Sequence, residues 1–435
     1  MITVVCHPDK SFLDAQLADR RIRLFGSQTE NLAGIGNGIH DAFKRIDIPV
    51  SQNAYDLLSV AMAVMGTDEF VSRRNHSGDG FSRDLHVTIA VSRPAMWTSF
   101  ANDLEATLGF LTGDNWQLFF ISGGQGAPTL RERKAMRKHT EASKCDIVCL
   151  FSGGMDSLIG ALQVLNDPCK TPLLVSRAAR GDSRYQRDLL NLMPKAHRLS
   201  ANDAPQNRRK SPWVKEESTR SRSIIFLALA ACCADAIARH RSQKKVSLLI
   251  PENGVIAVNT PLTHRRVGAA STRTAHPRYL TGVQRLLDTF DIRASILNPF
   301  AFLTKGEMIN QSPHRPALMS LIPKSVSCGN YKRFGQCGSC LPCIIRRAAN
   351  HAAGVIEPTG TYRSEDLTKV VRTSTASNDL YALRQALRTH TPSSIPRWVL
   401  KAGPLCGQDP GKTFDTVNRG LIEIRKFLQH EGVPL

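Results

Sequence analysis

The spacing of apolar and polar positions changes character near residue 143. Before it, Asp84–Val91 alternates as a strand does, and Trp116–Ile121 reads as a second strand. Trp97, Phe100, Leu104, Leu108 and Leu111 recur at helical spacing, and Asn53–Phe70 carries a further amphipathic helix. These elements predict an α+β unit over residues 1–142. From Asp146 the pattern becomes strand–helix–strand. Ile147–Phe151, Pro172–Ser176, Val246–Ile250 and Ala294–Leu297 are short apolar strands, and Asp156–Asn166, Ser183–Leu192, Ser218–Arg239 and Pro277–Phe290 are helical. Such alternation predicts a doubly wound parallel sheet covered on both faces, with ligands at the carboxyl ends of its strands. This α/β unit is expected over residues 143–355. A mostly helical tail follows over 356–435, at Asp366–Arg388 and Thr413–His430.

One strand end carries chemistry. After Ile147–Phe151 comes Ser152-Gly153-Gly154-Met155-Asp156-Ser157, an S-G-G-x-D-S turn opening a helix. Its glycines admit an anion close to the backbone, and the free amides of the helix start make a positive concavity for phosphate. Ser152 and Ser157 add hydroxyls. No G-K-[ST] follows, so this is not a Walker A loop. Ile121-Ser122-Gly123-Gly124-Gln125-Gly126 looks alike but lacks the Asp-Ser and the helix; it reads as a plain turn into the basic stretch Arg131–Lys144.

Cys328, Cys337, Cys340 and Cys343 form C-x8-C-x2-C-x2-C, four thiolates close enough to close a tetrahedral, structural Zn²⁺ site. Gly338 permits the tight knuckle. The other cysteines, Cys6, Cys145, Cys149, Cys169, Cys232, Cys233 and Cys406, are scattered, as in a protein of a reducing cytoplasm.

Composition changes the picture little. A chain of 435 residues with 42% hydrophobic content is expected to be globular, in two or three domains. Met1–Lys10 has no signal-peptide pattern, and the apolar run Ile224–Ala234 is too short to span a bilayer, so a cytoplasmic protein without membrane contact is expected. The formal charge of +20 is spread over short clusters such as Arg131–Lys138, Arg208-Arg209-Lys210, His264-Arg265-Arg266, Lys332-Arg333 and Arg346-Arg347. With 6% aromatic residues a base-stacking platform is not favoured. A phosphate-binding cleft, or an acidic protein partner, explains the charge better than nucleic acid.

The glycine loop and the cysteine quartet together resemble the QueC-like group of PP-loop ATP pyrophosphatases, the 7-cyano-7-deazaguanine synthases. Arg222-Ser223-Ile224-Ile225-Phe226-Leu227 resembles that family's R-N-x-x-F-L helix start, and Leu303-Thr304-Lys305-Gly306-Glu307 its K-x-E segment. The four blocks stand in the family's order over about half the chain. The resemblance implies a HUP-like fold, ATP with Mg²⁺, structural Zn²⁺, and ATP-dependent carbon–nitrogen ligation in which 7-carboxy-7-deazaguanine is adenylated, with pyrophosphate and then AMP released. It places ATP on residues 152–157 and gives Asp156, Lys305 and Arg222 catalytic roles: Lys305 and Arg222 offset charge at the α-phosphate, and Asp156 caps the helix or helps magnesium indirectly.

The chain departs from the synthases in three respects. Ser223 replaces the Asn of the R-N pair, residues 1–142 and 356–435 are additional, and the synthases' D-Y-S-G-Y-P-D-C-R-like loop is replaced by the segment from Pro251 to Pro277. The long N-terminal region and the substituted loop resemble those of the QueC-like proteins of bacterial anti-phage operons, above all of the Qat system. That kinship implies a partner protein of the same operon in a stable complex, its terminal amine coupled to the deazaguanine, with residues 1–142 as a candidate partner-binding unit. In the substituted loop Glu252 and Asn253 are candidates to read a purine-like base, Arg265 and Arg273 to hold a carboxylate, and His276 to line the site. Ammonia-dependent nitrile synthesis and tRNA modification are the competing readings.

Overall fold

The computed structural model describes residues 1–29, 32–177, 183–193, 196–202, 213–216, 218, 220–263, 266–267, 273–329, 331, 335–373 and 379–435. Arg265, His264, Arg208, Arg209, Lys210, Lys332 and Arg333 lie outside them.

Two five-stranded sheets organise the chain, and every named strand pair is parallel. The first contains β1 (Ile2–His7), β2 (Arg20–Gly26), β3 (Ala33–Gly36), β4 (Asp84–Ala90) and β5 (Asn115–Ile121), in the order β3-β2-β1-β4-β5. The second contains β6 (Ile147–Leu150), β7 (Pro172–Arg177), β8 (His197–Ala201), β9 (Val246–Leu249) and β10 (Ala294–Leu297), in the order β10-β9-β6-β7-β8. The helices used below are α1 (Gln52–Phe70), α2 (Ala101–Thr112), α3 (Met155–Leu165), α4 (Arg222–His240), α5 (Pro277–Thr289), α6 (Lys305–Asn310), α7 (Leu341–Ala352) and α8 (Pro410–His430).

The expectation of an α+β unit over residues 1–142 is corrected: this region is a second doubly wound α/β layer. β2 escapes the periodicity reading because its sequence, Arg-Arg-Ile-Arg-Leu-Phe-Gly, puts three arginines at half-buried positions, and β3 because it spans four residues, two of them glycine. The expected second unit is the α/β layer anticipated, with β8 as an added edge strand.

The two layers share one core. Helix α1 packs on β2, β3 and β4, helix α4 packs on β6, β7, β9 and β10, and the two helices pack on each other. They run antiparallel, since Asp68 near the end of α1 accepts from the Ser221 amide (2.8 Å) ahead of α4, whereas Ala54 at the start of α1 accepts from Cys232 Sγ (2.9 Å) midway along α4. Because each helix also runs against its own strands, the carboxyl edges of the two sheets face opposite ends of the molecule. Helix α4 is apolar almost all round. It has the length and composition to cross a bilayer, but 83% of its apolar window is buried between the layers.

A charged cluster locks the same junction. Arg83, fully buried, donates to Asp114 Oδ1 and Oδ2 (3.0 and 2.6 Å) and to Asp68 Oδ1 (2.6 Å). Arg73 donates to Asp114 Oδ2 (2.6 Å), and its amide is held by Glu216 Oε2 (2.6 Å). Burial opposes charge on Asp68, but Arg83 and Arg73 hold its carboxyl below the usual range.

The second S-G-G sequence is indeed a turn. Gly123 has φ +100°, and a Cβ there would stand 2.5 Å from His7 Nε2, while the Gly124 amide donates to Val91 O (3.3 Å). The turn therefore lies across the ends of β1 and β4, where the strand order of the first sheet reverses and where a ligand crevice would otherwise open.

Candidate functional site

Residues 152–157 leave β6 and enter α3 at the carboxyl edge of the second sheet. Gly153 adopts φ +82°, and a Cβ there would sit 2.8 Å from the Tyr185 ring. Both serines knit the turn. Ser157 Oγ accepts from the Ser152 amide (3.2 Å) and donates to Gly154 O (2.9 Å), and Ser152 Oγ accepts from the Gly154 amide (3.3 Å). The first turn of α3 opens at Gly154 without a side-chain cap, so its amides are directed at whatever occupies the space in front of them.

That space is a cavity of about 250 Å³ lined by Ser152, Gly154–Ser157, Glu252, Arg266 and Lys305, with Val326, Ser327, Pro342 and Ile345 as its far wall. Lys305 Nζ stands 3.0 Å from Asp156 Oδ1. Asn253 Nδ2 donates to Asp156 Oδ2 (2.7 Å) and to Glu252 Oε1 (3.2 Å), and the Asn253 amide also donates to Asp156 Oδ2 (3.2 Å). Burial opposes charge on Asp156, yet Lys305 and hydrogen bonds from Glu252 and Asn253 keep its carboxyl below the ordinary value. Glu252 goes the other way: burial first, then the Asp156 charge, push it well above the usual carboxylate range. Two buried carboxyls with opposite shifts thus face each other beneath the first amides of α3, beside a lysine and an arginine.

Of the residues expected at the site, 152, 154–157, 252 and 305 line this cavity, and Gly153 forms its turn. Asn253 supports it from behind. Its amide nitrogen serves both carboxyls and its Oδ1 accepts from the Ile256 amide (3.1 Å), so its side chain is not available to read a base. Arg222 opens α4 on an exposed position and does not line the cavity. Arg273 and His276 also stand apart from it. Arg273 donates to Phe110 O (2.7 Å) at the end of α2 and lies over the Phe110 ring. His276 caps α5, accepting on Nδ1 from the Arg278 amide (3.2 Å), and burial together with Arg273 and Arg278 lowers its pKa to about 3. It packs against Phe110 with ring centroids 4.9 Å apart.

Two contributions were not singled out from sequence. Arg266 reaches the cavity, although only its place in a basic cluster marked it. The helical tail is the other. Lys305 starts α6, whose Thr304–Glu307 capping box is gripped by α8: Arg419 donates to Glu307 Oε1 (2.6 Å) and Phe302 O (3.0 Å), and Glu423 accepts from Thr304 Oγ1. A carboxylate and an arginine at i, i+4 on a solvated helix carry no such signal in one sequence. Arg419→Ala is expected to cut any turnover that depends on Lys305 by about tenfold or more, since small displacements of a catalytic group are costly. Burial raises Glu423 to about 7. Its contribution to stability is therefore complete below the ordinary carboxyl range and lost as the pH rises through 7. Melting curves of Glu423→Gln should accordingly vary less between pH 5 and 8 than those of the parent chain.

The four cysteines form one cluster. All four Sγ atoms lie within 4.8 Å of one another, with Cys328–Cys340 and Cys337–Cys343 both at 3.9 Å. Four sulfurs at about 2.3 Å from a tetrahedral Zn²⁺ would stand about 3.8 Å apart. The Cys337 amide donates to Cys328 Sγ (3.4 Å) and the Cys340 amide to Cys337 Sγ (3.3 Å), which favours thiolates. Gly338, at φ +84°, makes the knuckle, where a Cβ would meet Ser364 O at 2.4 Å. The donor set fits a closed structural zinc site.

This cluster is coupled to the cavity. Val326, two residues before Cys328, donates its amide to Gly153 O (3.0 Å), and Pro342 and Ile345 follow Cys340 on α7. Arg346 of α7, fully buried, donates to Ile322 O (2.6 Å), Ser325 O (3.0 Å) and Glu357 Oε1 (2.5 Å), and so clamps the strip that touches the glycine turn. A wider hollow of about 440 Å³ lies between α7, residues 354–365 and the end of α8, but its carboxylates are engaged: Glu357 with Arg346 and Asn350, Glu431 with Arg347. The smaller cavity has the convergent charges.

Neither the family models nor the curated proteins compared with the chain gave a match.

Proposed function

We propose that this chain is a QueC-like, ATP-dependent carbon–nitrogen ligase that adenylates 7-carboxy-7-deazaguanine and couples it to an amine. The observation that carries the reading is the S-G-G-x-D-S turn opening α3 over a cavity where Lys305, Arg266, Asp156 and Glu252 converge. The amides of α3 would receive the departing pyrophosphate, and Lys305 and Arg266 would offset the charge that develops as a carboxylate attacks the α-phosphate. ATP supplies the leaving group that a carboxylate lacks, and magnesium is expected to accompany it. The zinc knuckle holds the far wall in place.

The extra layer over residues 1–142, the substituted loop and the charge of +20 support an acidic protein of the same anti-phage operon as the source of the amine, in a stable complex within the cytoplasm. The test is the product set. Incubated with ATP, Mg²⁺ and 7-carboxy-7-deazaguanine, the protein should release AMP and pyrophosphate, and the co-expressed partner should gain the mass of an amide-linked deazaguanine. ADP and phosphate would refute the reading. Free 7-cyano-7-deazaguanine made from ammonia, with the partner unmodified, would make the chain a nitrile synthase instead.

A further inference from the structure

We infer that Glu252 is the proton acceptor for the attacking amine, in the second half of the reaction proposed above and resting on that reading. Glu252 lines the cavity together with Asp156, Arg266 and Lys305 and lies in the segment where this chain departs most from the synthases. The four charged groups facing one another have separate duties. Lys305 is ion-paired with Asp156 (3.0 Å), and Asp156 also takes both donors of Asn253. Arg266 is a permanent cation. Glu252 is the remaining carboxyl, held by Asn253 Nδ2 (3.2 Å) and by Asn298, which ties the peptide on both sides: its Oδ1 accepts from the Glu252 amide (3.3 Å) and its Nδ2 donates to Glu252 O (2.8 Å). A base of this kind works best when its pKa lies near the working pH, and burial beside Asp156 moves Glu252 upward from the ordinary carboxyl range.

The step balances without a further reagent. The amine nitrogen bonds to the acyl carbon, the bond from that carbon to the AMP phosphate oxygen breaks, and AMP leaves with the electron pair. In the ionised state of Glu252, the form that gains weight as pH rises, the proton lost by nitrogen passes to its carboxylate and then to water. Adenylation itself needs no proton acceptor, because a carboxylate is the nucleophile there. Glu252→Gln should therefore separate the two halves.

The experiment compares the parent chain and Glu252→Gln in pyrophosphate exchange into ATP with 7-carboxy-7-deazaguanine, and in product formation with ammonia and with hydroxylamine. Ammonia is mostly protonated near neutral pH, whereas hydroxylamine is mostly neutral and needs little help from a base. The ammonia reaction of Glu252→Gln should fall by about 100-fold more than its exchange rate. It should also lose the rise of rate with pH that deprotonation of Glu252 gives the parent, and hydroxylamine should recover most of the loss. An equal fall in exchange and in both amine reactions would make Glu252 a support for Asp156 and overturn the inference, as would an ammonia reaction at the parental rate. Absence of exchange in the parent chain would instead sink the adenylation reading itself.

Discussion

Asp156→Ala is expected to abolish AMP formation and to destabilise the fold by about 1–3 kcal/mol, because the buried Asn253 amide and Nδ2 lose their acceptor, while Glu252, freed of the Asp156 charge, can ionise and partner Lys305. Lys305→Met should be as inactive but less damaging. Without the lysine, Asp156 and Glu252 still face each other, and a proton taken up between them removes most of the uncompensated charge. Asp156→Asn keeps the shape and the contact with Asn253, so it isolates the charge. ATP consumption and melting curves on the three variants read both effects. Full turnover by Asp156→Asn in a folded protein would remove the carboxylate from the mechanism.

The second large effect concerns the metal. The purified chain should carry about one zinc, and stripping it, or replacing Cys340 by serine, should disorder the knuckle and the start of α7. Structural zinc contributes on the order of 10 kcal/mol to small domains that depend on it. Loss of ATP turnover is expected to accompany the loss of metal, although no cysteine lines the cavity, because Val326 no longer pins Gly153 and Arg346 no longer has an ordered strip to clamp. Hydrogen exchange should show protection vanishing over residues 322–329 and 335–346 first. A zinc-free chain that is fully folded and protected there would refute the structural role of the cluster.

How much of this was legible in the chain follows from what kind of signal each part leaves. The glycine turn and the knuckle are local: glycines, hydroxyls and thiols a few residues apart, all readable as strings. Strands β6, β7 and β9 are largely buried on both faces and so appear as apolar runs, and the edge strand β10 is apolar in sequence although Leu297 is exposed. In the first sheet β4 and β5 were legible, but β2 is masked by arginines whose partners, Pro8 O for Arg23 and Phe70 O for Arg20, are set by tertiary packing alone. The substituted loop shows the same limit. Glu252, Asn253, Arg266, Arg273 and His276 are equally polar in sequence, yet two of them line the cavity, one braces it and two pack against α2 at Phe110. Long-range grips such as Arg419 on Glu307 leave no trace in a single sequence.

The helix buried between the two layers bears on the order in which the chain is made. On leaving the ribosome alone, Arg222–His240 would present to the cell a segment as apolar as a membrane anchor. Its cover, β1 to β5 with α1, has by then already been synthesised, and domains generally begin to fold from the amino terminus during synthesis. The first layer is thus synthesised in time to cover the helix as the second layer forms. A chain started at residue 143 would emerge with that helix naked, and its fate would be decided by aggregation or by the insertion machinery before any cavity could form.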